Sequence, residues 1–215
     1  MSQPNESPRR AAQRAINAFP HWPVYLVGAL PGLWTFWLAV SDQLGADPVK
    51  TLEHMLGLWA LRFLIASLTV TPLRRIGGPN LVRFRRALGL LAFFYACAHL
   101  LTWIALDRGP DLAAILGDIV KRPYITLGMA TFAILVPLAW TSNARAIKRM
   151  GAGAWQRLHR WVYLAAILAI AHYLLSLKSW TLEPLAYAAA VTALLLFRVF
   201  SSPRGNRRPT PAESG

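Results

Sequence analysis

Residues 85–108 read RRALGLLAFFYACAHLLTWIALDR, and this stretch decides the fold. Paired arginines open it, Asp107 and Arg108 close it, and residues 87–106 between them hold no Asp, Glu, Lys or Arg. A helix needs about 20 mainly apolar residues to cross hydrocarbon, so the stretch is long enough to span a membrane. His99 lies inside it. An ionisable side chain at that depth is costly unless partnered, which makes it a functional-site candidate by default.

Five further stretches share this character: 22–40, 52–70, 124–141, 159–177 and 184–201. The predicted fold is therefore all-α, a polytopic membrane protein with six transmembrane helices. Composition agrees: 55% of the 215 residues are hydrophobic and 15% are charged, against about 25% charged in soluble domains, and mean hydropathy is +0.38. The first span holds Pro31 and many aromatics with no small-x-small cleavage site close behind, so it reads as a helix and not as a cleavable signal. The single cysteine, Cys97, excludes an intrachain disulfide or a thiolate metal cluster.

The net charge of +14 could suggest nucleic acid, but it is distributed between the apolar spans, which points to topology instead. Seventeen of the 23 basic residues fall on one side of the expected membrane: Arg9, Arg10, Arg14, Arg74, Arg75, Arg83, Arg85, Arg86, Arg145, Lys148, Arg149, Arg157, Arg160, Arg198, Arg204, Arg207 and Arg208. The other side has Lys50, Arg108, Lys121, Arg122 and Lys178, with seven of the nine acids. By the positive-inside rule both termini are cytoplasmic. The organisation is then an N-terminal tail over 1–20, a six-helix domain over 21–201 and a C-terminal tail over 202–215. Both tails are expected to be disordered or to lie at the lipid headgroups.

Depth singles out two histidines. His99 lies about 10 Å and His172 about 8 Å inside the outer edge, at 1.5 Å per residue. Two imidazoles at matched depth on parallel helices can ligate one haem iron from opposite faces. The alternative for each is a hydrogen bond to a neighbouring helix. His159 lies roughly 20 Å lower than His172 and, on an ideal helix, faces elsewhere. It is either a ligand to a second cofactor or an interfacial histidine between Arg157 and Arg160. Arg62, near the middle of the second span, requires an anionic partner: a haem propionate, or a carboxylate such as Glu53. Glu53 and His54 are expected in a solvated headgroup setting, and Phe93, Phe94 and Tyr95 could line a porphyrin but default to lipid packing. Gly28 and Gly32 form a GxxxG too common to carry weight. No GxGxxG and no P-loop are present, so the chain should not bind NAD(P)H through a Rossmann domain of its own.

Several motifs together resemble one family. Residues 85–95 with His99, Lys121-Arg122-Pro123-Tyr124-Ile125-Thr126, Trp155-Gln156-Arg157-Leu158-His159-Arg160 with Tyr163, and His172-Tyr173 belong to this set. So do Trp59-Ala60-Leu61-Arg62-Phe63 and Thr71-Pro72-Leu73-Arg74. They are similar to the haem-binding membrane subunits of bacterial periplasmic methionine-sulfoxide reductase systems, the MsrQ or YedZ family, within the ferric-reductase-like transmembrane domains. The resemblance covers about residues 20–200.

It implies a multi-pass protein of the bacterial inner membrane that carries electrons outward. The implied acceptor is a periplasmic molybdopterin-containing methionine-sulfoxide reductase, and the implied donor is the quinone pool or a cytoplasmic flavin reductase. The implied cofactors are haem b and FMN. Catalysis would belong to the partner, with no catalytic residue here. NADPH oxidases in the superfamily carry two histidines on each ligating helix. Here Arg86 and Arg85 stand thirteen and fourteen residues before His99, so the inner site would hold either a haem on His159 with another ligand, or a flavin whose phosphate meets Arg85 or Arg86. The rival class is a cofactor-free transporter or assembly scaffold whose histidines relay protons.

Overall fold

In the computed structural model the described residues are 8–109 and 111–201. The C-terminal tail expectation for 202–215 lies outside them, as do Arg204, Arg207 and Arg208. The described chain folds as helices throughout, and six of them are long and apolar enough to cross a membrane.

The first membrane helix is α2 (Trp22–Val40), preceded by a short α1 (Pro8–Ala18). Next come α3 (Pro48–Arg75) and α4 (Arg85–Thr102), the latter running into a π-helical turn over Trp103–Arg108. A surface helix α5 (Leu112–Lys121) leads into α6 (Pro123–Trp140). Two short helices, α7 (Ala144–Met150) and α8 (Ala152–His159), precede α9 (Val162–Ser176) and α10 (Leu182–Phe200). The expected spans are all present. Pro23, Pro48 and Pro123 stand in the first turns of α2, α3 and α6, where a missing N–H costs nothing.

Residues 8–18 are helical, so disorder does not describe that part of the N-terminal tail. The helix is held to the loop between α3 and α4: Asn80 N–H donates to Gln13 Oε1 at 2.9 Å, and the Arg83 guanidinium donates to the Ile16 and Asn17 carbonyls. Arg75 Nη1 donates to the Ser201 carbonyl at 3.0 Å. Both ends of the described chain thus gather at one end of the bundle, as six antiparallel spans require. Reporter fusions after Pro79 and Arg149 are expected to read as cytoplasmic and those after Asp111 and Lys178 as periplasmic. A cytoplasmic reading at 111 would reverse the orientation drawn from the charges.

Helix α3 is the axis of the bundle. Leu58, Leu61, Leu64 and Leu68 pack with Ala92, Leu138, Ala166, Ile170, Tyr173 and Val191 in one core. Because lipid is as apolar as leucine, such a bundle is held by close packing, and small residues permit it. Ala92, Ala165 and Ala166 are fully buried at these contacts, whereas Leu26, Leu30, Leu33, Phe36 and Trp37 of α2 face outward. The Gly28/Gly32 pair is where α2 docks on α4. A Cβ at Gly28 would come within 2.3 Å of Leu91, and Gly32 sits against the Tyr95 ring. Tyr95 Oη donates to the Gly28 carbonyl at 2.7 Å and accepts from Gly32 N–H at 2.6 Å. Membrane hydrogen bonds average only about 0.6 kcal/mol, so the contact rests mainly on the close approach that glycine allows. Tyr95 is therefore a packing residue of the α2–α4 seam.

Candidate functional site

His99 on α4 and His172 on α9 face each other, with ring centroids 6.0 Å apart and planes at 75°. They border a cavity of about 760 Å³ between α3, α4, α6 and α9, within the usual range for small-molecule sites. Leu61, Leu64, Ala92, Leu135 and Phe132 line it toward the middle of the bundle.

Each imidazole is held the same way. His99 Nδ1 lies 2.8 Å from the Glu53 carbonyl, and His172 Nδ1 lies 2.7 Å from the Tyr124 carbonyl. A carbonyl can only accept, so both Nδ1 atoms carry the proton and both Nε2 atoms carry a lone pair. This is the orientation that metal-ligating histidines adopt. With metal–imidazole bonds of about 2 Å, two rings across one metal place their centroids roughly 6 Å apart. The observed spacing fits a bis-imidazole centre for haem iron.

Glycine makes room for both rings. Gly57 stands one turn after Glu53, and a Cβ there would lie 3.0 Å from His99 Nδ1. Gly128 stands one turn after Tyr124, and its Cβ would lie 2.9 Å from His172 Nδ1. The α3–α4 and α6–α9 pairs thus repeat one device: a carbonyl at position i takes the Nδ1 proton, and glycine at i+4 clears the space. Sequence reasoning missed both glycines. The one trace in the sequence is a glycine in the outer half of each of these two spans, four residues after the residue whose carbonyl is used.

The outer mouth carries charge. Lys50, Glu53, His54, Asp107, Arg108, Arg122 and Lys178 line it. Glu53, expected in a solvated headgroup setting, is instead half-buried against the cavity, while His54 beside it is exposed at the mouth as expected. The π turn after Thr102 widens the end of α4 and carries Arg108 to Asp118 of α5 at 2.6 Å, with Arg122 3.2 Å from the same carboxylate. Such turns concentrate at functional sites. Trp103 is buried at this mouth, while Trp22, Trp140, Trp161 and Trp180 are exposed as an aromatic belt requires.

Arg62 does not border the cavity. Its Nε donates to Tyr187 Oη at 2.7 Å, its Nη2 is 3.3 Å from Glu183 Oε1, and its guanidinium lies over Trp59. The carboxylate that meets Arg62 is therefore that of Glu183, not that of Glu53. Side chains on α3 tilt toward the helix start, which sends Arg62 outward to the first turn of α10. Phe93 stacks on Phe132 of the cavity wall, and Phe94 is exposed.

His159 lies apart from the cavity, at the arginine-rich end. Its ring stacks on Trp155 at 3.9 Å, and Nε2 lies 3.0 Å from Thr141 Oγ1. The Thr141 hydroxyl donates to the Pro137 carbonyl at 2.6 Å, so its oxygen accepts from His159 Nε2–H. His159 is thus the opposite tautomer from the facing pair. The helix also breaks at Arg160–Trp161, so the ideal-helix angle between His159 and His172 does not apply. Arg85 lies within electrostatic reach of His159, half-buried, and Arg86 is exposed.

Residues 55–170 match the family described as ferric reductase like transmembrane component. The relative from Brucella ovis, a protein-methionine-sulfoxide reductase heme-binding subunit MsrQ, is 54% identical over 188 residues, covering 87% of this chain and 85% of that protein. The proteins of the same name from Brucella abortus and Brucella melitensis match to the same extent. With His99 inside the matched region and more than half of the aligned residues identical over most of the chain, the chain belongs to the MsrQ family of the ferric-reductase-like transmembrane proteins.

Proposed function

We propose that this chain is a haem b-carrying electron-transfer subunit of the bacterial inner membrane. It takes electrons from the quinone pool or a cytoplasmic flavin reductase and passes them to a periplasmic molybdopterin-containing methionine-sulfoxide reductase, which repairs oxidised periplasmic proteins. One observation carries the reading: His99 and His172 oppose each other across a cavity with both Nε2 lone pairs free to ligate. When bound there, haem supplies a one-electron ferric–ferrous couple.

The chain's own residues bind, orient and insulate. The Glu53 and Tyr124 carbonyls fix the imidazole planes and raise their basicity. Leu61, Leu64, Leu135 and Phe132 keep the inner wall of the cavity apolar, and the charged groups are confined to its outer mouth, where Arg108 and Arg122 are held by Asp118 and Lys178 supplies a further cation. His159, with Arg85 and Arg86, serves an inner cofactor, haem or FMN, in this reading. Ligation by His159 would exchange its Thr141 hydrogen bond for the metal.

Purified protein is expected to show a Soret band and to be reduced by a quinol, or by a flavin reductase with NADH, but not by NAD(P)H alone. Rapid reduction by NADPH without a second protein would remove the donor assignment. A colourless preparation that restores none of the band on adding hemin would leave the proton-relay scaffold as the better reading.

A further inference from the structure

We propose that Arg75, Arg85 and Arg198 form a phosphate-binding site where the inner ends of α3, α4 and α10 meet. Arg198 lies half-buried in the last turn of α10. Its Nη2 donates to the Leu68 carbonyl at 2.9 Å and its Nη1 to Tyr163 Oη, while its Nε is buried and has no hydrogen-bond partner among the described residues. Arg75 ends α3 and reaches the Ser201 carbonyl beside the end of α10. Arg85 begins α4, and both it and Arg75 lie within electrostatic reach of Arg198.

Three arginines from three helices therefore share the inner end of the bundle, with no acid among the described residues to balance them. Every ion pair among the described residues lies at the other end of the bundle or on its outer half, and so does every described Asp and Glu. The two remaining acids, Glu6 and Glu213, lie outside the described residues. Carbonyl and phenol oxygens take the two Nη hydrogen bonds of Arg198 but leave its Nε unpartnered and its charge uncompensated, which is costly in a low-dielectric setting. A phosphate meets the requirement better than any single carboxylate. Its oxygens accept from several guanidinium forks at once, and the start of α4, which has no side-chain cap, adds a favourable dipole.

Two molecules present that chemistry here. One is flavin mononucleotide, whose binding rests on the inner-cofactor reading above. The other is an anionic phospholipid of the inner leaflet, which does not.

The full-length protein in dodecyl maltoside would be titrated with flavin mononucleotide, followed by flavin fluorescence. A parallel titration with phosphatidylglycerol would be followed by native mass spectrometry. Saturable binding of at least one probe is expected, weakened at least tenfold by Arg198→Gln and by Arg75→Gln, and unchanged by Arg145→Gln on α7. Binding of the flavin alone assigns the site to a cofactor, and binding of phosphatidylglycerol alone assigns it to lipid. No saturable binding of either, or equal binding by wild type and both variants, overturns the proposal. Arg75 is exposed at the end of its helix, so its variant tests the site without threatening the core. The low-spin haem spectrum is read on the same samples. Its absence from wild type would fail the haem reading while leaving the phosphate result standing.

Discussion

Alanine at His99 or at His172 is expected to abolish one and the same low-spin haem signal, and the double variant to lose little more. The two rings face each other at 6.0 Å from centroid to centroid and would share one metal. Ligands that act as a unit are non-additive, so the second substitution removes nothing that the first has left. The Nδ1 hydrogen bonds make a further distinction. Each ring is aimed by a carbonyl of a different helix, Glu53 on α3 and Tyr124 on α6. Loss of one ligand should therefore leave the other correctly placed, giving a five-coordinate, high-spin haem of reduced occupancy. His159→Ala should spare the low-spin signal, because His159 lies outside the cavity on the far side of the α8–α9 break. Electron paramagnetic resonance of the purified variants reads all three results. A wild-type low-spin spectrum in His99→Ala would end the bis-imidazole assignment.

The second large effect is expected at two residues with no chemistry of their own. Gly57→Val and Gly128→Val should each cost about 10–100-fold in haem affinity, the range seen when groups that orient a metal ligand are lost. Even the first carbon of a side chain would stand 3.0 Å from His99 Nδ1 or 2.9 Å from His172 Nδ1. A branched side chain must therefore drive the ring off its carbonyl and out of line with its counterpart. Alanine at the same positions should shift the haem spectrum with smaller loss, since a few tenths of an ångström of ring movement relieve the contact. Gly89→Ala is the matched control inside a span, where a Cβ meets only Ser67 Oγ at 3.9 Å. Hemin titration of apoprotein, followed at the Soret band, measures the ratio. Equal affinities for Gly57→Val, Gly128→Val and Gly89→Ala would show that the glycines do not shape the site.

The six spans were legible because crossing hydrocarbon is a demand on composition. About twenty residues without charge leave an unmistakable run, whatever the helix packs against. The histidines were legible for the same reason, since an imidazole inside such a run is conspicuous, and similar counts from the span ends put His99 and His172 at nearly the same depth. Counting cannot show which way a side chain points around its helix. Arg62 illustrates this: its need for an anion could be read from depth, but Glu183 is 121 residues away and reaches it only through the packing of α10 on α3.

Local sequence was weakest where the meaning of a residue depends on its neighbour across a helix contact. The Gly28/Gly32 pair is one of countless GxxxG patterns until Tyr95 is seen to bond to both glycines, and Gly57 and Gly128 are unremarkable until an imidazole fills the space beside each. The π turn at Trp103–Arg108 and the break at Arg160–Trp161 lie within stretches whose hydropathy reads as unbroken helix, because hydropathy records burial in lipid and not backbone hydrogen-bond register. The sequence by itself determined that this protein is a six-helix membrane bundle with a matched pair of candidate ligands. Only the tertiary structure decided that the pair faces one cavity, which ring nitrogen each backbone carbonyl meets, and which carboxylate meets Arg62, because those properties arise from directions and distances between helices that are remote in the chain.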